Sequence, residues 1–217
     1  MSEEILKALT RLFAIITKQD GGVTDKERTY VIHFFQTELD HDTIESYLKL
    51  YDEYSGYGKE DKTAKGQLTS VKDSVKTLGI CKKINQTLTQ KQKVVVLTKL
   101  LELVGSGIDL SPQRRDIINT VASVFNIAAE EFNIIQKFIL AEDPHALNAK
   151  DVLIINNLDE VGGCDCKHFH GQIDGSLLFL RLRSVDMYFT KYLGTEATML
   201  NGFIMERGRL YLFTHGS

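Results

Sequence analysis

Proline is scarce in this chain. Only Pro112 and Pro144 occur among 217 residues, so long helical stretches are free to run uninterrupted and each proline reads as punctuation. Cysteine is scarce as well. Cys81, Cys164 and Cys166 are an odd, small set, which excludes a disulfide framework of the kind small secreted domains use. The start, MSEEILKALT, is acidic and lacks the charged-then-apolar layout of a signal peptide, so reduced thiols and a cytoplasmic location are expected. No apolar run approaches the ~20 residues that span a bilayer. An excess of one charge is missing too. Lys plus Arg total 26 and Asp plus Glu 29, a formal charge of -3, which argues against a nucleic-acid binder with its usual basic stripe.

The remaining composition, 43% hydrophobic and 25% charged, is that of a soluble globular protein, long enough for one large domain or two small ones. Up to about Asp143 the apolar spacing is helical. Ile5, Leu9, Leu12, Phe13 and Ile16 mark one buried face, and a second helix is expected from Asp25. Thr89 and Gln92 form a capping-box pattern, and Ser111 followed by Pro112 is a helix start. Ser55–Gly66 reads as an exposed loop. After Pro144 the rhythm changes to short aromatic and branched segments separated by glycines, with Asn201-Gly202 suited to a hairpin turn. The expected fold is therefore α+β: about seven helices over residues 1–142, a linker over 143–150, and a small antiparallel β module over 151–217. The strand pattern reaching Thr214 would leave an edge open, which leads to the expectation that the sequence is a piece of a longer protein.

Two stretches carry candidate chemistry. In KQDGGVTDKER, Asp20, Gly21, Val23 and Glu27 fall where a calcium loop has an acid, a sharp turn, a buried apolar residue and the closing carboxylate. The two ligand positions ahead of Asp20 are Ile16 and Lys18, which excludes an EF-hand. Asp20 and Glu27 remain candidates for half of a divalent-metal site. Alternatively, Thr24 and Glu27 form a capping box and nothing more. A second copy of the pattern lies 87 residues on, with Thr24 over Ser111 and Glu27 over Arg114. Should the two loops meet, the Arg114 guanidinium would neutralise Glu27 where a cation might otherwise sit. The other stretch is CDCKHFH, read as a loop. Cys164, Cys166, His168 and His170 offer thiolates and imidazoles that suit zinc or copper, or they form an exposed loop that picks up metal adventitiously. A nucleophilic role for Cys166 beside His168 would need a third, orienting group, and the sequence names none. No catalytic residue is assigned.

At these residues the chain resembles TerB-like domains, a tellurite-resistance-type all-α fold of paired helical repeats with DG-x-[hydrophobic]-[S/T]-x-x-E in each half. Asp20, Gly21, Thr24 and Glu27 match the first half; Gly107 and Arg114 depart in the second. The resemblance covers roughly residues 1–142 and implies a divalent metal as the one cofactor to consider. The runs LFAIITKQD, SVKDSVKTLGICKKINQTLTQKQKVVVL, LNGF and RLYLF also resemble the N-terminal region of bacterial ABC-type ATP-binding proteins. There a TerB-like domain and a forkhead-associated-like β module precede the ATPase. This resemblance implies a non-catalytic sensing or interaction region that regulates or recruits an adjoining ATPase. Its partner would be a protein, and membranes would be met only through a transporter complex. No G-x-x-x-x-G-K-[ST] phosphate loop is present to bind ATP. Nor is there the early Arg with Ser-x-x-His by which forkhead-associated modules hold phosphothreonine: Arg181 and Arg183 fall in a strand, and Ser184 has no His three residues on.

Overall fold

The computed structural model describes residues 3–19, 22–58, 68–105, 111–159 and 165–213. Among the described residues seven α-helices come first: α1 (Glu3–Thr17), α2 (Asp25–Glu38), α3 (His41–Ser55), α4 (Leu68–Thr87), α5 (Gln90–Gly105), α6 (Pro112–Val124) and α7 (Ala129–Leu140). Seven strands follow: β1 (Val152–Asn156), β2 (Lys167–His170), β3 (Ser176–Leu182), β4 (Met187–Tyr192), β5 (Met199–Leu200), β6 (Phe203–Ile204) and β7 (Leu210–Phe213). The α+β class read from the sequence holds. The chain divides into two compact units, Met1–Ala128 and Ala129–Ser217.

In the first unit α1 is the central helix. Nearly all its length from Ile5 to Thr17 is buried, and it packs against α3, α4 and α5. Such burial requires its polar side chains to find partners. Thr10 and Thr17 donate to the carbonyls one turn back, Leu6 O and Phe13 O, and Thr17 Oγ1 also meets Tyr51 Oη at 2.8 Å. Phe13 and Phe34 stack edge to face at 5.2 Å, and the aromatic contacts continue through Phe35 to Tyr47. The helix starts follow local chemistry. Gln92 and Thr89 satisfy each other's amides at 2.9 and 3.4 Å ahead of α5, and Ser111 Oγ accepts from Arg114 N at 3.2 Å ahead of α6.

In the second unit the strand order is β2-β1-β3-β4-β7, with β5 and β6 as a separate hairpin. Asn201 and Gly202 both take positive φ at its turn, as the Asn-Gly pair requires. Helix α7 packs on β3 through an apolar face that includes Phe132, Ile135 and Phe138. Its ends are pinned. Ser184 Oγ donates to both Glu131 oxygens, at 2.7 and 2.8 Å. The buried Lys191 Nζ donates to Phe138 O and Ile139 O, at 3.1 and 2.9 Å, and also to Ala141 O. Lys191 thereby occupies carbonyls left open at a helix C-terminus, where a cation is favoured.

Two expectations need correction. The β module is not wholly antiparallel, because β2 runs parallel to β1, with Leu153 opposite Lys167 and Asn156 opposite His170. A parallel neighbour cannot be reached by a tight turn, and ten residues of sequence separate β1 from β2. The stretch CDCKHFH is therefore not a loop throughout: Lys167–His170 is a strand.

Candidate functional site

The KQDGGVTDKER stretch becomes the entry to α2, with Asp20 and Gly21 outside the described residues. Thr24 is the N-cap. Its amide and hydroxyl both donate to Glu27 Oε2, at 2.6 and 2.8 Å, while its oxygen accepts from Glu27 N at 3.3 Å. The capping box thus consumes one carboxylate oxygen. The other lies 2.7 Å from Arg114 Nη2, in a pair whose side chains are 5% and 0% exposed. Arg114 also donates to Gln19 O at 3.3 Å, and Gln19 is held to Ile15 O by its own amide. The two loops aligned in the sequence do meet: Glu27 and Arg114 each stand three residues past a cap, Thr24 and Ser111. The next residue, Arg28, makes a fork to Asp52 on α3, with bonds of 3.1 and 3.0 Å. The start of α2 is thereby clamped to both α6 and α3.

A divalent cation at Glu27 would have to displace the Arg114 guanidinium, which already supplies a positive charge 2.7 Å from Oε1. Among the described residues no three His, Cys, Asp or Glu side chains converge as a metal set. Glu27 therefore does not fit a cation with the partners described around it.

Cys164 lies outside the described residues, and Cys166 is disulfide-bonded, so the expectation of a reduced thiol fails at that position while Cys81 is free. A disulfide sulfur is not a thiolate and does not ligate zinc as one. His168 and His170 share one face of β2. His168 Nε2 lies 2.9 Å from Asn156 Oδ1, and because that oxygen only accepts, Nε2 carries the proton. His170 Nδ1 faces Leu158 O at 3.2 Å and Asp159 at 3.8 Å. Each ring therefore spends one nitrogen on the fold and keeps the other. Cys81 is free and buried, and burial pushes its thiol up to about 12, which makes it unreactive at neutral pH.

Sequence reasoning missed the face of the sheet turned away from α7. Strand alternation places Leu153 and Ile155 of β1, Phe179 and Arg181 of β3, Tyr188 of β4 and Phe213 of β7 on that face. They line a groove of about 890 Å³. Phe179 and Phe213 meet edge to face at 5.1 Å, Arg181 stacks over Tyr188 at 5.6 Å, and Phe169 on β2 is 62% exposed. The only hint in the sequence was the apolar residue at alternate positions along several strands, which fixes two faces but not which one stays open.

The first unit is an all-helical domain in which two capped helix starts are joined by a buried ion pair. The model of the family described as Tellurite resistance protein TerB matches residues 6–137, more than half of the chain. The chain belongs to the TerB family. No curated protein and no solved structure matches it. Among the described residues no helix is long and apolar enough to cross a membrane.

Proposed function

We propose that this chain is a non-catalytic sensing and interaction region, in which the TerB domain accompanies a sheet unit that docks a protein partner. One observation carries this reading: the sheet face opposite α7 presents aromatic and aliphatic side chains around a groove, with Tyr188 38% exposed in its lining. Large apolar groups left in water on one contiguous surface mark interaction sites. The chemistry around Glu27 supports the same reading, since its carboxylate is engaged in holding helices together. The partner that the sequence resemblance brings forward is an ABC-type ATP-binding protein, adjoining or recruited, which the region would regulate. The forkhead-associated likeness of the sheet unit belongs to the same proposal.

The test places a photoreactive benzophenone side chain at Tyr188 and, as control, at the exposed Glu45 on α3. Irradiation in cells should give a discrete adduct from position 188 that position 45 lacks, and mass spectrometry should identify an ABC-type ATP-binding protein in it. The same adducts from both positions would overturn the interaction face. A discrete adduct with another protein would remove the ATPase assignment alone.

A further inference from the structure

The charges around the groove narrow the partner. Its lining includes four cations, Lys150, Lys167, Arg181 and Arg183, against two acids, Asp151 and Asp165. One acid is already spent, since Arg183 Nε donates to Asp151 Oδ1 at 2.7 Å. Arg181 is shared between Asp186, at 3.4 Å, and the Tyr188 ring. Lys150 and Lys167 have no acidic partner in any described ion pair. The local excess is positive on a chain whose formal charge is -3. Electrostatic complementarity therefore favours an anionic occupant and sets which partners approach.

The placement of the cations matters as much as their number. Lys167 is opposite Leu153 on one side of β1, while Arg181, on β3, lies on the other side. They are separated by two strand spacings and by two residues along the strand, about 12 Å in all, with apolar side chains between them. A single compact headgroup would need the cations to converge on one point. Cations flanking an apolar strip suit a chain segment whose bulky apolar residues fill the strip and whose acids lie along its borders. The opposite face of the same sheet already receives such apolar residues from α7.

We infer that the groove floored by Leu153, Phe179, Tyr188 and Phe213 binds an acidic amphipathic segment of a partner protein, whose carboxylates meet Lys150, Lys167 and Arg181. This rests on the interaction reading above and names the chemistry of its partner.

The test uses the full 217-residue chain and two fluorescent synthetic peptides of one amphipathic pattern, one of leucine and glutamate, the other of leucine and lysine. Anisotropy is read for wild type, for Lys150→Glu with Lys167→Glu, and for Tyr188→Asp, after thermal melts establish that each variant is folded. The glutamate peptide should bind and the lysine peptide should not. The double charge reversal should weaken the glutamate peptide by about tenfold or more, because two attractions become repulsions. High salt should weaken it as well. Equal binding of both peptides, with Tyr188→Asp abolishing both, would overturn the acidic class and leave the docking face standing. Binding that ignores all three substitutions would overturn both. Failure of wild type to bind the glutamate peptide, or binding of oleate in its place, would overturn the acidic-segment inference.

Discussion

The Arg114 guanidinium lies 2.7 Å from the buried Glu27 carboxylate, joining the first turn of α6 to the first turn of α2. Both residues stand at the same distance from a hydroxyl cap, so the pair relates two halves of a repeat through opposite charges. Burial makes this pair costly to break from one side only, because the survivor is then an uncompensated charge away from water.

Arg114→Met should therefore destabilise the helical unit by about 3–5 kcal/mol, and Glu27→Gln by a comparable amount. Combining them should recover part of the loss, since neither charge then stays buried alone. Urea unfolding of the four proteins measures this. Calcium or magnesium should leave the wild-type melting midpoint in place and raise it in Arg114→Ala, where Glu27 needs a cation. A wild-type midpoint that rises with either ion would show that the guanidinium does not fill that role.

Lys191 is the corresponding element of the sheet unit. Its ammonium joins β4 to the last carbonyls of α7. Lys191→Met keeps the apolar stem but strands those carbonyls, at a cost of about 2–4 kcal/mol. The midpoint of this unit should fall by roughly 10–20 °C in calorimetry, given its size. A fall of a degree or two would mean that water replaces the ammonium easily.

Local chemistry made some of this legible in the sequence. The caps at Thr24, Thr89 and Ser111 announce themselves within four residues, and the offset of 87 laid Glu27 over Arg114 without saying whether the two would meet. What depends on strand register could not be read. Lys191 looks like an exposed charge between aromatic residues until β4 is paired and α7 is laid over it. Lys167–His170 is a strand only because β1 offers a parallel edge. The cations of the groove come from separate segments, so no sequence window contains them together. The boundary shows the same limit: the helical rhythm ends near Asp143, yet α7 groups with the sheet, because Phe132, Ile135 and Phe138 bury where distant strands provide a surface.

Alkaline pH should loosen the helical unit. Burial raises the pKa of the Tyr51 phenol above its ordinary value, a rise that its bond to Thr17 only partly offsets, and burial pushes the Cys81 thiol up to about 12. A group with a raised folded pKa adds stability that is fully present below its unfolded pKa and is lost as pH climbs toward the folded one. Stability should therefore fall from about pH 9, where unfolded cysteine begins to ionise, and more steeply beyond about pH 10, where unfolded tyrosine does. Cys81→Ala should remove the first part of the decline. Tyr51→Phe should flatten the second, while costing about 1 kcal/mol at neutral pH for the lost bond to Thr17. Melting midpoints between pH 8 and 11 check this, and an unchanged slope in both variants would assign the alkaline loss to other groups.

The Cys166 disulfide makes zinc binding at β2 a matter of redox state. His168 and His170 each keep one ring nitrogen, and they lie on the same strand face two residues apart. Two imidazoles alone give weak chelation, and tight zinc sites add thiolates. In the oxidised protein, zinc affinity should therefore match that of the double variant Cys164→Ser with Cys166→Ser, which has no thiol in this stretch. Reduction should tighten binding about tenfold or more in wild type, through thiolate that the variant cannot supply. Calorimetry in buffers with and without a phosphine reductant separates the cases. Affinity that stays the same on reduction would limit this strand to weak chelation by its histidines.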